Sequence, residues 1–511
     1  MTNTMIVFSI AVYMILMIVI GVRVSKRNKN TDDYYLGGRK LGPFVTAMSA
    51  EASDMSSWLL MGLPGVALAT GIADAFWTAV GLAVGTYVNW LIIAKRLRIY
   101  SEANKSATIP DFFSNRFRDK SGALLAISAI VIIVFFVPYT GSGFAAVGKL
   151  FNSLFGVDYH VALIVGAAVI VAYTVIGGFL AASTSDFVQS IIMTFALFVV
   201  VMFGIENAGG ITNVYENVKD LPGYLSLNST FADGASKDYG LLSIVSTLAW
   251  GLGYFGMPHV LLRFMAIEDR QKLKLSRRIA SVWVVISMAA AIFIGVIGFS
   301  FVKNNGIQLD DPERVLIVIS KSIAQLDTFA AMLAGIILAG ILAATMSTAD
   351  SQLLAASSSM SENIVRRFFF KNISDKASMI VARCTVALIA VVAVIFAWDP
   401  DSSVFGIVSF AWAGFGAAFG PVVLCALFWK RMNRWGALAG MVAGGAMVVI
   451  WEYVITPYGA ANGISALTIY ELLPAFLTAL AAIIIVSLIT PAPSKEIVEE
   501  FEEVKKTFKA K

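Results

Sequence analysis

The 511-residue chain is 58% apolar and 14% charged, about half the charged share of an average soluble domain. That balance describes a polytopic membrane protein, and the formal net charge of +5 points to neither a nucleic acid nor an acidic partner, because short loops account for it. Cys384 and Cys425 both sit in apolar segments and give no disulfide framework.

The first apolar run, Met5 to Val22, is long enough to span and is followed by Arg23, Lys26, Arg27 and Lys29. It reads as a retained helix rather than a cleaved signal. Apolar runs of about 20 residues predict thirteen spans, over 5–24, 42–70, 74–94, 121–152, 159–179, 184–207, 240–264, 277–302, 327–356, 377–398, 403–429, 435–457 and 470–491. With the N-terminus outside, the inside loops collect 32 of the 38 Lys and Arg residues, so the positive-inside rule predicts an N-out, C-in orientation. The connection 208–239 is polar and turn-rich, an expected ordered loop or lid. Pro312 to Leu326 has helical apolar spacing and is expected on the outer surface. The tail from Ser494 to Lys511 alternates Ile497, Val498, Phe501, Val504 and Phe508 with Glu and Lys, predicting an amphipathic helix at the cytoplasmic face.

Within the second span, Ser49 to Gly65 places Glu51, Asp54 and several hydroxyls beside a Gly62, Pro64, Gly65 break. A charge at the centre of a membrane helix costs at least about 2.5–3.5 kcal/mol, so it usually faces a cavity, an ion or another polar group. Carbonyls freed by a break also need a partner in lipid. A second interruption, Ala249 to His259, falls near the middle of the span 240–264. Paired interrupted spans in corresponding halves point to a binding site at a repeat interface. Counting five spans on from 42–70 reaches 240–264, which fits two inverted repeats of five.

In the span 327–356, Ala344, Ser347, Thr348 and Ser351 form one helical stripe, with Asp350 beside Ser347. Ser347 and Thr348 hydroxyls, the Ala344 carbonyl and carbonyls near Ala52 and Met55 would give a hard monovalent cation about five or six oxygens. The competing reading is that these hydroxyls only bond the helix backbone or join helices. Asp186 begins its span and either favours the helix dipole or, if it approaches Asp350 and Ser351, offers a second cation site. Glu51 lies three residues from Asp54, so one of the pair is protonated, cation-paired or turned away; this motivates a proton-coupled carrier as the rival reading. Trp250, Tyr254 and Tyr139 lie beside the breaks and suit a solute pocket. His259 has no ligand partner at transition-metal spacing, the Ser-rich runs lack a catalytic base, and no nucleotide-binding unit is present. An enzyme is therefore not expected.

Several runs together resemble the solute:sodium symporter family, and within it the bacterial sodium/proline symporters: Tyr34-Tyr-Leu-Gly-Gly-Arg39 with Leu41-Gly-Pro-Phe44, Ala52-Ser-Asp-Met-Ser56, Trp58 to Gly65, Gly177-Gly-Phe-Leu-Ala181, Trp250-Gly-Leu-Gly-Tyr-Phe-Gly256, Ile341-Leu-Ala-Ala344 with Met346-Ser-Thr348, and Ala411 to Pro421. The resemblance covers nearly the whole chain. It implies an all-α polytopic membrane protein with thirteen transmembrane helices and the 5+5 inverted-repeat core first described for the leucine transporter. The divisions would be 1–41 (first helix and cytoplasmic loop), 42–210 (first repeat), 211–398 (external loop and second repeat), 399–493 (C-terminal helices) and 494–511 (tail).

The resemblance also implies alternating-access import of a small amino-acid-like solute, proline first among them, with one or two Na+ and no organic cofactor. Ala52, Met55, Ala344, Ser347 and Thr348 would hold sodium, with Asp54 essential to coupling. Ser56, Ser57, Tyr139, Trp250, Tyr254, Met257 and Pro258 would meet the solute, and Asp186, Ser347, Asp350 and Ser351 would match a further sodium site of some members. The expected setting is a bacterial inner (plasma) membrane, with lipid and solute as partners and neither nucleic acid nor an obligate protein partner. Glu51 and Ser57 stand where those symporters usually have glycine, and Met257 where they have glutamine, so a different small organic solute stays open.

Overall fold

The computed structural model describes residues 2–25, 35–370 and 373–509. Tyr34 of the first motif and the cations Lys26, Arg27, Lys29, Lys371 and Lys511 fall outside the described residues. Ten described helices are long and apolar enough to cross a membrane, or eleven if the bent pair Leu241–Phe255 and Pro258–Ala266 is one span. Two shorter apolar helices, Trp58–Thr70 and Tyr159–Val175, lie where the sequence predicts its second and fifth spans. Apart from one hairpin, the described regular structure is helical.

The first helix, α1 (Thr2–Ser25), precedes α2 (Pro43–Asp54), which starts with Pro at its first position behind an extended Gly42; a proline there removes no helical hydrogen bond. Helix α2 stops at Asp54, where Met55 leaves helical geometry (φ −80°, ψ 74°) and the Ser56 N–H turns back to the Asp54 carbonyl at 2.9 Å. The chain resumes through a wide turn, Trp58–Gly62, into α3 (Leu63–Thr70). The interruption thus falls at Met55–Ser57, earlier than the Gly62-to-Gly65 run that predicts it. Pro64 sits in the first turn of α3, where a missing N–H is harmless. Gly62 and Gly65 instead admit neighbours: a Cβ on them would stand 3.1 Å from Phe405 Cβ and 3.0 Å from the Glu313 backbone.

Next come α4 (Ile72–Val88), which continues to Ala103, then α5 (Ala123–Phe155) and α6 (Phe179–Asn207). The connection after α6 is ordered: a helix over Ile211–Val218 and a hairpin of β1 (Ser229–Ala232) with β2 (Ala235–Asp238), Thr230 opposite Lys237. Between them the Tyr224 carbonyl takes the Ile72 N–H at 2.9 Å, pinning the loop to the α3–α4 junction.

The second interrupted span is α7 (Leu241–Leu248), tight turns over Ala249–Phe255, and α8 (Pro258–Ala266), with a 45° bend. Its glycines allow the unwound turn to be packed from both sides. A Cβ on Gly251 would lie 2.2 Å from the Gly81 carbonyl oxygen, and one on Gly253 2.0 Å from Trp412 Nε1.

After α9 (Leu273–Asn304), α10 (Val315–Ala324) corrects one expectation. Rather than lying on the outer surface, it buries Val315, Leu316, Ile319 and Ile323 and packs on α11 (Thr328–Ser358). The same apolar stripe that suits a membrane surface also suits a protein groove. Helix α11 is the centre of the molecule: every residue from Ile337 to Ser359 is buried, against α1, α2, α5, α6 and α10. Helix α12 (Val404–Phe428) also lies deep, and the tail forms α13 (Lys495–Lys509). Helix α13 docks on protein. Phe501 and Val504 are buried, Arg96 and Arg116 lie over the Phe501 ring, and Arg118 pairs with Glu496.

Candidate functional site: a cation cradle and solute chamber

Where α2 ends, α11 crosses it. Ser347 Oγ donates to the Ala52 carbonyl at 2.8 Å and to the Ala344 carbonyl of its own helix at 3.1 Å. One helical step on, Thr348 Oγ1 is buried with no hydrogen-bond partner among the described residues. Met55, at the interruption, donates its N–H to the Glu51 carbonyl at 2.8 Å, and its non-helical ψ turns its own carbonyl out of the helix ladder. Two carbonyls and a hydroxyl therefore meet beside an orphaned hydroxyl, without a full charge. A buried hydroxyl with no partner is costly in a native fold.

Asp54 joins the two interrupted spans. Its Oδ2 accepts from Tyr254 Oη at 2.6 Å, and its carbonyl accepts from Tyr139 Oη at 2.9 Å and Trp58 Nε1 at 3.3 Å. Its Oδ1 has no donor among the described residues. Tyr139 and Tyr254 thus meet at the break in α2, while Trp250 lies face to face with Tyr470 (5.0 Å) and near Trp58 (6.2 Å) and Phe405 (5.3 Å). Ser57 Oγ is buried with no partner among the described residues, Ser56 Oγ accepts from the Trp58 N–H at 3.4 Å, and Met257 and Pro258 are buried at the bend. Phe405, Trp412 and Tyr470 complete this aromatic wall, yet sequence reasoning missed them as wall residues. Trp412 stood only as part of a motif, and Tyr470 comes from a distant span. Glu51 points elsewhere, accepting from Trp90 Nε1 at 2.9 Å.

The largest omission is Arg263. Counted among the loop cations, it is buried on α8 with 1% of its side chain exposed. It donates to Ser49 Oγ (3.0 Å), Asp186 Oδ2 (3.1 Å), Ser351 Oγ (2.6 Å) and the His259 carbonyl (2.9 Å). Asp186 also accepts from Ser49 Oγ at 2.7 Å, and Asp350 Oδ1 from Ser351 Oγ at 3.2 Å. Asp186, Asp350 and Ser351 are therefore brought together, but around a guanidinium, while Ser347 turns to the Ala52 carbonyl. The signal was present: two carboxylates in apolar spans need a counter-charge, and Arg263 stands inside the apolar run Leu261-Leu-Arg-Phe-Met265.

The sequence profile described as the sodium:solute symporter family matches residues 34–444. The chain belongs to the sodium:solute symporter family. It is 43% identical over 507 residues to the osmoregulated proline transporter of Bacillus subtilis, covering 99% of each chain. It is 42% identical to a sodium/proline symporter of Salmonella typhimurium, covering 98% of this chain and 96% of that one. Among solved structures it resembles a Na+-coupled sialic acid symporter in a substrate-bound outward-open state (TM-score 0.77, 17% identity, covering 96% and 99%). It also resembles Mhp1, a nucleobase-cation-symport-1 family transporter (0.55, 14%, covering 93% and 99%). These likenesses establish a shared transporter fold.

A buried carboxylate ties α10 to α12 beside the aromatic wall. Glu313, just before α10, accepts from Lys149 Nζ (2.8 Å), Ser403 Oγ (2.9 Å) and the Val404 and Phe405 N–H groups (3.0 Å each). A carboxylate at a helix N-terminus meets both free N–H groups and the positive dipole end. Glu313 also lines a cleft of about 860 Å³, together with Gly65, Lys149, Asp311 and Asp401 among others.

Proposed function

We propose that the protein carries proline with sodium across a bacterial plasma membrane, the basic face inside. The proline transporters it resembles at 42–43% identity support the solute. The observation that carries sodium coupling is the meeting of Ser347 with the Ala52 carbonyl beside the orphaned Thr348 hydroxyl. Sodium, as cargo, would be held there by Ala52, Met55 and Ala344 carbonyls with the Ser347 and Thr348 hydroxyls. The solute would lie against Tyr139, Trp250, Tyr254, Met257 and Pro258, with Ser56 and Ser57 at its edge. Asp54 couples them through geometry: its carbonyl and carboxylate hold the two tyrosines of the solute wall, so filling the cradle and ordering the chamber favour one another.

The reading assigns one sodium per turnover. Arg263 supplies the positive charge between Asp186 and Ser351 that a second ion would otherwise bring. One charge crossing 100 mV yields about 2.3 kcal/mol, and a tenfold sodium gradient adds about 1.4 kcal/mol. Accumulation of a few hundredfold follows, where two ions would give its square. In architecture the proposal is thirteen crossings, with 42–210 and 211–398 as inverted halves, each contributing one interrupted helix to the chamber, flanked by 1–41, 399–493 and the tail 494–511.

Uptake of radiolabelled proline into proteoliposomes tests the reading. It should saturate, require sodium with a Hill coefficient near one, and proceed at equal internal and external pH. Uptake driven by a pH gradient with sodium absent would instead favour the proton-coupled alternative, for which Glu51, one oxygen bonded to Trp90 and the other unpartnered, is the candidate carrier.

A further inference from the structure

We propose that the basic-face end of the cradle helix is a binding site for the headgroup of an anionic phospholipid. Helix α11 runs without a break into a wider turn over Ser359–Phe369, which ends in Arg366-Arg-Phe-Phe-Phe370. Phe368, Phe369 and Phe370 are 43%, 70% and 62% exposed. Three consecutive exposed phenylalanines are costly against water and are at home at the boundary of acyl chains and headgroups.

Their charged neighbours give that boundary a sign. Between Lys120 and Arg367 a groove of about 580 Å³ is lined by Lys120, Ser121, Glu362, Arg366, Arg367 and Phe368. Three carboxylates nearby, among the described residues, are already engaged. Glu362 takes Ser378 Oγ at 2.5 Å and Arg366 at 3.0 Å, and Asp119 caps the Ser121 and Leu124 N–H groups at 3.1 and 2.9 Å. Asp111 accepts from Asn363 Nδ2 at 2.8 Å and the Thr108 N–H at 3.1 Å. Lys120 and Arg367 are exposed and join no ion pair among the described residues. The floor is shaped as well: Gly122, at φ +77°, lets the Phe368 ring close over it, where a Cβ would stand 2.7 Å from the ring. Two uncommitted cations above an aromatic ledge at membrane level match a phosphodiester whose chains run past Phe369 and Phe370. A lipid held there anchors the lower end of the helix that carries Ser347 and Thr348.

The test reads binding directly and does not depend on which solute is carried. The full-length protein is reconstituted in phosphatidylcholine with trace spin-labelled phosphatidylglycerol or phosphatidylcholine, and the motionally restricted fraction is measured. The wild type should restrict phosphatidylglycerol about threefold or more over phosphatidylcholine. Lys120→Gln/Arg367→Gln, both at exposed positions, should abolish that preference, and Phe369→Ser/Phe370→Ser should weaken retention of both lipids. Equal restriction of the two lipids by the wild type, or an unchanged preference in the Lys120/Arg367 variant, would overturn the proposal. So would displacement by millimolar inorganic phosphate, which would mark a site for free anions.

Discussion

Helices α2 and α11 meet at two polar clusters, and the two are finished differently. Near Ser347 the chain presents carbonyl and hydroxyl oxygens and leaves the Thr348 hydroxyl without a partner. Near Ser351, about one turn of α2 away at Ser49, it presents two carboxylates and inserts the Arg263 guanidinium among them. The first cluster is built of neutral oxygens; the second carries its own cation. A binding site for a passing ion must release it, which suits a few neutral oxygens. A fixed buried pair does not let go, since removing one partner costs about 3–5 kcal/mol.

Substitutions can break this contrast. The largest effect is expected from Ser347→Ala/Thr348→Ala, which removes both hydroxyls from the neutral cluster while leaving each helix apolar and intact. Sodium-driven uptake should be abolished with protein level and thermal stability nearly unchanged. Arg263→Gln should act the other way, lowering the melting temperature because Asp186 and Asp350 lose their counter-charge. Where enough folded protein remains, the sodium Hill coefficient should rise above one as a second ion replaces the guanidinium. Adding Asp350→Asn to that variant should recover most of the lost stability, read by thermal unfolding in detergent, and return the coefficient to one.

Gly251→Ala places a methyl against the Gly81 carbonyl, so it should depress proline uptake about tenfold or more by pushing the unwound turn off α4, with a smaller loss of sodium affinity. The smallest effect is expected from Glu51→Gln. The amide still accepts from Trp90, and sodium-driven uptake should stay within about threefold at every pH between 6 and 8. Loss of all uptake there would move the coupling ion from sodium towards the proton.

Much of the neutral cluster was legible in the sequence because it is written locally. Ala52, Asp54 and Met55 share one stretch, Ser347 and Thr348 another, and polar residues inside apolar runs stand out by cost alone. The position of the break was less legible, since Gly62, Pro64 and Gly65 look like its cause while the chain actually turns at Met55–Ser57. Arg263 was missed because a cation near the end of an apolar run reads as a loop residue until the 45° bend of its span is known. Helix α10 went wrong for a related reason, because periodicity reports that one face is apolar and not whether lipid or protein covers it. Trp412, Phe405 and Tyr470 join Trp250 only through tertiary packing, which spacing along the chain does not encode.

Equilibrium sodium binding to purified protein without solute tests most directly whether sodium sits at Ser347 and Thr348. Titrating intrinsic tryptophan fluorescence with NaCl at constant ionic strength should give one saturable transition in the wild type. That transition should vanish in Ser347→Ala/Thr348→Ala and persist, shifted to higher sodium, in Tyr254→Phe, which alters the solute wall and spares the cradle. An undiminished transition in the double alanine variant would contradict the account.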